Sequence, residues 1–431
     1  MGQDAGLSAE LTNWALSRGV TIDGIAAREF PGKGLGIIAL RRLEAGETIL
    51  KVPTSLLRTE FSVPQHIKKS VGTECSINGL LALDLWLDNR SATHALSPWR
   101  NTLPALAEVK SSMPLFWAPE AQHLLPPAGL ALLRKQQAKF RRDWLAVSTC
   151  GAFPALSLEE YTYRWLLLWT RTFYYTPPTS KPRSSARLPR ARVRSTPKSK
   201  SSANPARPAE DCLALVPFGD FFNHTAGTPT VTATYSASGY EFVTGAAGPI
   251  AAGTELFISY GRHSNDTLLA EYGFILPDGD NNHDAVLLDE VILPLLSPAQ
   301  TAELEAAGYL GNYVLGATSP SGSALDDDEN GNENDTEVVC YRTTTALRLL
   351  CMPFRRWKRG LSCGFDDEDS FQRRVNELVG KVLRTYIDLA AEKIQQVSRL
   401  DEVFADQKDV LTRRWAQTLA LLTAATKRIP D

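Results

Sequence analysis

The sequence predicts an α+β fold, in which a β-rich part with helical inserts is followed by a helical part. In the first half of the chain, short runs of β-type residues are separated by turn signals that contain glycine or proline. After Asp284 the apolar residues recur at helical spacing, and the longest amphipathic stretches are 371–400 and 410–429. Ser297 followed by Pro298 is typical of a helix start, because serine caps free N–H groups and proline fits the first turn.

The individual elements are predicted from the same two periodicities. Apolar residues at helical spacing predict a first helix over 7–18 and further helices over 79–89 and 161–175. Runs of β-branched and aromatic residues, bounded by turns such as PGKG and EAG, predict the strands. These strands are 22–25, 35–40, 48–52, 213–216, 230–235, 240–244 and 255–259.

Composition limits the classes of function. The 431 residues include 46 Lys and Arg against 48 Asp and Glu, for a net charge of −2. This balance excludes a globally basic nucleic-acid binder and a strongly acidic, chaperone-like chain. The length predicts two or three domains, each able to bury a core.

The cysteines and the N-terminus lead to expectations about the compartment. The six cysteines lack CxxC spacing and a neighbouring histidine, so we expect reduced thiols in an intracellular protein and no metal site. The first residues lack a basic flank followed by an apolar core, and no apolar run reaches about 18 residues. We therefore expect neither a secretory signal nor a membrane span.

Two segments depart from globular composition. Residues 176–209 contain no acidic residue and nine Lys and Arg, with many Pro and Ser, so they are predicted to be a disordered basic insertion. A nuclear localisation signal or nucleic-acid arm and a plain solvated loop are both open interpretations of this insertion. Residues 319–337 are acidic and rich in Gly and Asn, which predicts a flexible loop.

Three motifs contain residues suited to chemistry. The glycine turn GKGLG at 32–36 would let a ligand approach the backbone, although a simple hairpin turn explains it as well. The run LVPFGDFFNHT places Asp220, Asn223 and His224 after a strand, where a histidine beside one carboxylate is more often structural than catalytic. The run ELFISYG ends a strand at Tyr260, and EYGF brings Tyr272 twelve residues later. Two amphipathic aromatics at a surface would explain this last pair as well.

In this order and spacing, the three motifs resemble the SET-domain methyltransferases, and among them the Rubisco large-subunit methyltransferase-like group. The resemblance extends to the opening IAAREFPGKGLGIIALRRLEAGETILKVP, to LSPWRNTLPALAEVKSSMPLFW and to WTRTF, where Thr170 replaces the family's serine. It covers about residues 7–430 without the two low-complexity segments, and it is weaker in the helical tail.

The resemblance implies a SET-domain, β-rich knotted fold with a helical insert, followed by an all-α C-terminal substrate-binding domain. It divides the chain into a SET domain at 18–261, a post-SET-like segment with EYGF at 262–284, and the helical substrate-binding domain at 285–431. The helical insert is expected at about 62–175.

The implied activity is that of a protein-lysine N-methyltransferase with S-adenosylmethionine as cofactor. The family's catalytic tyrosine matches Tyr260. The positions that match cofactor-binding residues are Lys33, Gly34, Leu35, Arg171, Asn223, His224 and Tyr260. The positions that match substrate-side residues are Arg171, Asp220, Tyr235 and Tyr272. The sequence departs from the family at Tyr175, where relatives can carry a second substrate arginine, so substrate choice does not carry over.

A physical mechanism accompanies this assignment. A free lysine has a pKa of about 10.4, so deprotonating its side chain at pH 7.4 costs about 4 kcal/mol. An apolar channel with aromatic walls disfavours the ammonium form and lowers that pKa. Tyr260 would orient the amine and would not act as a strong base, and alignment of donor and acceptor would supply much of the rate. No metal is needed.

Two other classes of function stay open. A protein-histidine methyltransferase would need a wider and more polar pocket, whose width the sequence leaves open. A non-catalytic scaffold with the same fold is disfavoured, because Asn223, His224, Tyr260 and the glycine turn are all intact. We expect a ribosomal, histone or other nuclear or cytosolic protein as substrate, a location in the nucleus or cytoplasm, and a monomer without direct roles at nucleic acids or membranes.

Overall fold

The computed structural model of the chain describes residues 2–90, 96–176, 212–316, 338–365 and 369–430. The predicted basic insertion, apart from Thr176, and the predicted acidic loop lie outside these residues. The described parts form two compact units. Unit 1 consists of Met1–Pro104, Ala138–His224 and Pro229–Ile258, and unit 2 consists of Ala105–Gln137, Thr225–Thr228 and Ser259–Asp431.

Thirteen strands and fifteen α-helices form in the described residues. The strands are β1 Thr21–Ile22, β2 Ile25–Phe30, β3 Gly34–Ala39, β4 Thr48–Pro53, β5 Arg58–Thr59, β6 Thr172–Tyr174, β7 Leu213–Leu215, β8 Asn223–His224, β9 Val231–Ser236, β10 Gly239–Thr244, β11 Glu255–Ile258, β12 Val286–Leu287 and β13 Val314–Leu315. The helices are α1 Gly2–Ser17, α2 Gln65–Val71, α3 Ile77–Arg90, α4 Ser97–Arg100, α5 Leu106–Ser112, α6 Pro119–Gln122, α7 Pro127–Thr149, α8 Leu158–Arg171, α9 Asn265–Thr267, α10 Asp289–Ile292, α11 Pro298–Ala306, α12 Tyr341–Cys351, α13 Phe354–Cys363, α14 Asp369–Ser398 and α15 Ala405–Thr426.

Three small sheets make up the β-structure of unit 1. Their strand orders are β1-β4-β10-β9, β2-β3-β11-β8 and β5-β7-β6. All pairs are antiparallel except β11 with β8, which run parallel. The predicted run 22–25 is divided between β1 and β2, because Gly24 between them takes a left-handed φ of 68° that other residues rarely adopt.

Helices α3 and α8 pack together in unit 1, and both contact the buried carboxylate of Asp143 on α7. Asp143 accepts hydrogen bonds from the Ser76 amide at 2.7 Å and from the Trp165 indole Nε1 at 2.9 Å. Gly79 on α3 permits the close approach, since a Cβ there would lie 2.8 Å from the Tyr161 hydroxyl of α8. Helix α8 begins at a capping box between Ser157 and Glu160.

The prediction of one helix over 161–175 is wrong at its C-terminal end. Helix α8 stops at Arg171, and Thr172, Phe173 and Tyr174 form strand β6, which pairs with β7. These β-branched and aromatic side chains favour the strand, and the partner strand lies about 40 residues away in sequence. A local pattern therefore gives no sign of where the helix ends.

Unit 2 is largely helical, and its strands β12 and β13 form one short antiparallel pair. Its core is built around Tyr313, Trp357, Tyr386 and Trp415, each at most 1% exposed. The predicted start of α11 is confirmed, since Ser297 caps the helix and Pro298 is its first residue. Among the helices that the structure describes, none is both long enough and apolar enough to span a bilayer.

Candidate functional site

The glycine turn of the sequence is the tip of the β2–β3 hairpin. Gly32 and Gly34 take left-handed φ angles of 75° and 70°, and the Lys33 amide donates to the Phe30 carbonyl at 3.0 Å. A Cβ at Gly34 would meet no atom within 4 Å, so the backbone there borders open space. Leu35 follows on β3. The hairpin interpretation is therefore correct, and the turn also leaves a stretch of backbone accessible to a ligand.

Asn223 lies against β3 where the next glycine leaves room for it. A Cβ at Gly36 would lie 2.7 Å from the Asn223 amide nitrogen Nδ2 and 2.8 Å from the Phe30 ring. Nδ2 donates to Glu255 Oε1 at 2.9 Å, and the Lys33 ammonium binds Glu255 Oε2 at 3.0 Å. Glu255 thus holds two of the predicted cofactor-binding side chains together.

The parallel pairing of β8 with β11 fixes the Asn-His pair. Asn223 lies opposite Phe257 and His224 opposite Ile258. The His224 residue is 6% exposed, so its ring is an interior group and not a surface base.

Arg171 and Asp220 form a buried ion pair at the end of α8. Arg171 Nη1 donates to Asp220 Oδ2 at 2.9 Å, and the Trp99 indole Nε1 donates to the two carboxylate oxygens at 3.0 and 3.1 Å. The Asp220 side chain has no exposed surface, and burial raises the pKa of its carboxyl even though Arg171 and Trp99 oppose that shift. Asp220 is therefore an internal partner of Arg171, and its own side chain does not reach solvent.

The arginine keeps donors for a further ligand. Its side chain is 19% exposed, and Nε and Nη2 make no hydrogen bond to any residue that the structure describes. A guanidinium group that binds one carboxylate through Nη1 can bind a second carboxylate through its remaining N–H donors.

Tyr235 belongs to a cluster of four tyrosines in unit 1. Its ring centroid lies 6.2 Å from that of Tyr174 and 5.8 Å from those of Tyr175 and Tyr240. Its hydroxyl is paired with that of Thr176. Tyr175, the residue that departs from the family pattern, is 5% exposed, and burial raises the pKa of its phenol. A buried, uncharged aromatic side chain thus occupies this position.

Tyr260 and Tyr272 form an aromatic pair within unit 2. Their ring centroids lie 5.1 Å apart with an interplanar angle of 32°. Tyr272 ends a short π-helical turn, Leu268–Tyr272, and burial raises the pKa of its phenol well above the usual value, with smaller contributions from Glu271 and Tyr260. The Tyr272 hydroxyl therefore stays protonated at neutral pH.

His263 supports this pair, although its sequence context did not single it out. Its Nε2 lies 3.0 Å from the Tyr260 carbonyl oxygen, which can only accept, so Nε2 carries the proton. Its ring lies 5.8 Å from that of Tyr272, and burial lowers the pKa of the imidazole. Gly261, with a φ of 137°, lets the loop turn so that the imidazole folds back over it.

The structure thus brings the predicted residues together in groups. Within unit 1, Lys33 and Asn223 share one carboxylate, and Arg171 pairs with Asp220. Within unit 2, the ring of Tyr260 lies tilted against that of Tyr272. Sequence reasoning missed the supporting residues Glu255, Trp99 and His263. Their only sequence signal was their position within or beside the motifs. In the part of the chain that is described, no group of His, Cys, Asp and Glu could hold a metal ion.

Comparison with known proteins gives one family. The family model described as "SET domain" matches residues 34–261. The human protein named SET domain-containing protein 4 is 24% identical over 445 residues, which cover 97% of this chain and 90% of that protein.

Two further likenesses bear on chemistry and fold. The Gallus gallus actin-histidine N-methyltransferase is 24% identical over 286 residues, covering 64% of this chain and 43% of that protein. The solved structure of the SET domain of LSMT bound to lysine and AdoHcy superposes with a TM-score of 0.57 at 16% identity, covering 98% of this chain and 92% of the other.

Proposed function

This chain belongs to the SET-domain family, and we propose that it is an S-adenosylmethionine-dependent methyltransferase whose acceptor is a lysine side chain of a protein. The family match and the superposition confirm the predicted fold, a SET domain with β-sheets and many helices and a helical C-terminal region. The relatives include a histidine methyltransferase. The choice of lysine as the acceptor residue is therefore the more specific part of the proposal and has its own test below.

The residues of unit 1 fit the cofactor. The backbone at Gly34 borders open space, so a ligand could contact Lys33 and Leu35 there. The Arg171 guanidinium has donors for the carboxylate of a methionine moiety. The superposed SET-domain structure carries AdoHcy, the demethylated form of this cofactor. We propose that Lys33, Gly34, Leu35, Arg171, Asn223 and His224 hold the cofactor, which when bound supplies an electrophilic methyl group.

The observation that carries the proposed chemistry is the pair of tyrosines in unit 2. Tyr272 is half-buried and un-ionised, and its ring centroid lies 5.1 Å from that of Tyr260. An aromatic wall of this kind disfavours an ammonium ion that has lost its hydration and so favours the neutral amine. The Tyr260 hydroxyl can accept a hydrogen bond from that amine and orient its lone pair. His263 fixes the Tyr260 backbone, and Asp220 fixes Arg171.

The substrate side of the proposal rests on fewer contacts. Tyr235 and Tyr272 would contact the target side chain, while Arg171 would contact the cofactor and the substrate. Because Asp220 is fully buried, it would act on substrate through Arg171. We propose that the helical region 285–431 docks the protein substrate and that the protein acts in the nucleus or cytoplasm.

Calorimetric titration with S-adenosylmethionine tests the proposal. We expect wild-type protein to bind, Asn223→Ala to lose measurable binding, and Tyr260→Phe to keep binding while methyl transfer falls by about 100-fold or more. A folded wild-type protein that does not bind would refute the enzyme assignment and favour a scaffold.

The acceptor is tested separately. After a labelled-methyl screen of cell extract, fragmentation mass spectrometry locates the methyl group on the product protein. Methyl groups on lysine nitrogen support the proposal. Methyl groups on an imidazole would replace it with a histidine methyltransferase, the activity named for the relative that shares 24% identity with this chain.

A further inference from the structure

A cavity of about 260 Å³ lies between helices α3, α4 and α8 of unit 1, and its lining residue Trp99 donates a hydrogen bond to Asp220 of the proposed site. Its floor is apolar, since Trp99, Leu85 and Leu167 are at most 4% exposed. Its mouth is polar, because Asn89 and Asn101 line it and are exposed. Such a cavity favours a ligand with an apolar body and one polar end.

The positive charges at this cavity exceed the negative ones. Arg100 and Arg164 both line it. Arg100 is neutralised by Asp88, with Nη1 to Oδ2 at 3.0 Å and both side chains less than one-fifth exposed. Arg164 has no carboxylate within ion-pair distance among the described residues, and its Nη1 donates only to the Glu160 carbonyl oxygen at 2.9 Å.

The Arg164 guanidinium is also partly removed from water. Burial lowers the pKa of Arg164. The nearby Glu160 and Tyr163 oppose this shift, and the like charge of Arg100 adds to it. Arg164 lies 5.9 Å from the centroid of the Tyr163 ring but has no ion pair among the described residues. A partly buried cation without an ion-paired carboxylate is costly, and an anion in the cavity would reduce that cost. The side-chain amides of Asn89 and Asn101 make no hydrogen bond within the described residues, so they are available as further donors.

We propose that this cavity is a binding site for a small organic carboxylate. The carboxylate binds Arg164 and the asparagine amides at the mouth, and the aliphatic or aromatic body covers Leu85, Leu167 and the Trp99 ring. The cavity volume lies just below the usual range for small-molecule sites, about 300–1,000 Å³, so the ligand has few non-hydrogen atoms. This site does not depend on the proposed methyl transfer.

Trp99 provides a local reporter of binding. Its indole lines the cavity while its Nε1 donates to Asp220. The experiment uses the full chain labelled with 5-fluorotryptophan, and the Trp99 resonance is assigned from Trp99→Phe. The probes are hexanoate and its neutral match hexanamide.

We expect hexanoate to shift the Trp99 resonance saturably and hexanamide to bind at least about tenfold more weakly, because it lacks the charge-assisted hydrogen bond. Arg164→Gln should weaken hexanoate by a similar factor, whereas the exposed α7 variant Arg141→Gln should leave it unchanged. Equal binding of the two probes, no response of the wild type, or equal affinity in folded Arg164→Gln would each overturn the site. If Arg164→Gln does not fold, the comparison of the two probes on wild type decides.

Discussion

Single carboxylates organise much of the candidate site. Glu255 binds both the Lys33 ammonium and the Asn223 amide, and Asp220 binds both the Arg171 guanidinium and the Trp99 indole. A carboxylate that accepts two donors restricts both of them at once, which reduces the conformational freedom that ligand binding must still remove.

Removing the Asp220 carboxylate should be costly. Asp220→Ala leaves the Arg171 charge largely buried and the Trp99 N–H without its acceptor, so we expect a loss of about 3–5 kcal/mol in the free energy of unfolding. Urea denaturation measures this loss. The control Asp23→Ala removes an exposed ion pair with Arg41, in which the Asp23 and Arg41 side chains are 60% and 43% exposed. We expect this variant to lose less than about 1 kcal/mol in the free energy of unfolding. Equal losses in the two variants would contradict the buried pair.

His263 should make stability depend on pH. Burial lowers the pKa of its imidazole below the ordinary 6.5, so the unfolded chain binds the proton more readily than the folded one. Stability is therefore full above about pH 6.5 and decreases as the pH falls from there towards the folded-state pKa. The pKa of His283 is lowered as well and adds to the same slope.

Urea denaturation between pH 8 and pH 5 measures this slope. His263→Gln should reduce it, since glutamine can still donate to the Tyr260 carbonyl but does not titrate. The exposed His66→Gln serves as control. A slope unchanged in His263→Gln would show that the ring is not desolvated.

Among the elements, the β2–β3 hairpin shows two uses of glycine. Gly34 needs its left-handed φ but has open space around it, whereas Gly36 has ordinary extended backbone and no space for a Cβ. The first position keeps the hairpin tip accessible, and the second lets the Asn223 amide lie against β3. The sequence shows the same residue type at both positions.

Alanine substitutions should separate these two uses. Gly36→Ala forces the Phe30 ring and the Asn223 amide aside, so we expect it to lower the free energy of unfolding by about 1–3 kcal/mol and to weaken S-adenosylmethionine binding. Gly46→Ala, at another open turn with a φ of 76°, should cost only backbone strain of about 1–2 kcal/mol and leave binding intact. Denaturation and calorimetry measure both effects. Unchanged binding in Gly36→Ala would remove Asn223 from the proposed cofactor site.

Over the whole chain, long-range ion pairs connect segments that lie far apart in sequence. In unit 2, Arg414 on α15 binds Asp266 at 2.6 Å and Asp284 at 2.7 Å, and its side chain has no exposed surface. One arginine thus joins the last helix to the segment that follows Tyr260. The Trp415 indole, next in the chain, donates to the Leu124 carbonyl at 2.8 Å.

Neighbouring arginines on α15 offer a matched test. Arg414→Met leaves two carboxylates buried without their partner, so we expect the free energy of unfolding to fall by about 3–5 kcal/mol. Arg413→Met removes an exposed pair with Asp409 and should cost less than about 1 kcal/mol. Urea denaturation compares the two variants, and similar midpoints would mean that the buried triad contributes little.

Local patterns were sufficient for the fold class and for the order of the motifs. Helices such as α14 and α15 follow from apolar spacing, because one buried face imposes that spacing on any sequence. The motif residues Asn223, His224, Tyr260 and Tyr272 could be named from the sequence because the order and spacing of their motifs resemble those of the SET-domain family.

The partners of those residues required the three-dimensional structure. Trp99 reaches Asp220 from 121 positions away, and Arg414 reaches Asp266 from 148 positions away. Likewise, α8 ends at Arg171 because β6 pairs with β7, which lies beyond a long insertion. Hydrogen bonds and desolvation depend on which groups are close in space, and a local sequence pattern does not record that proximity.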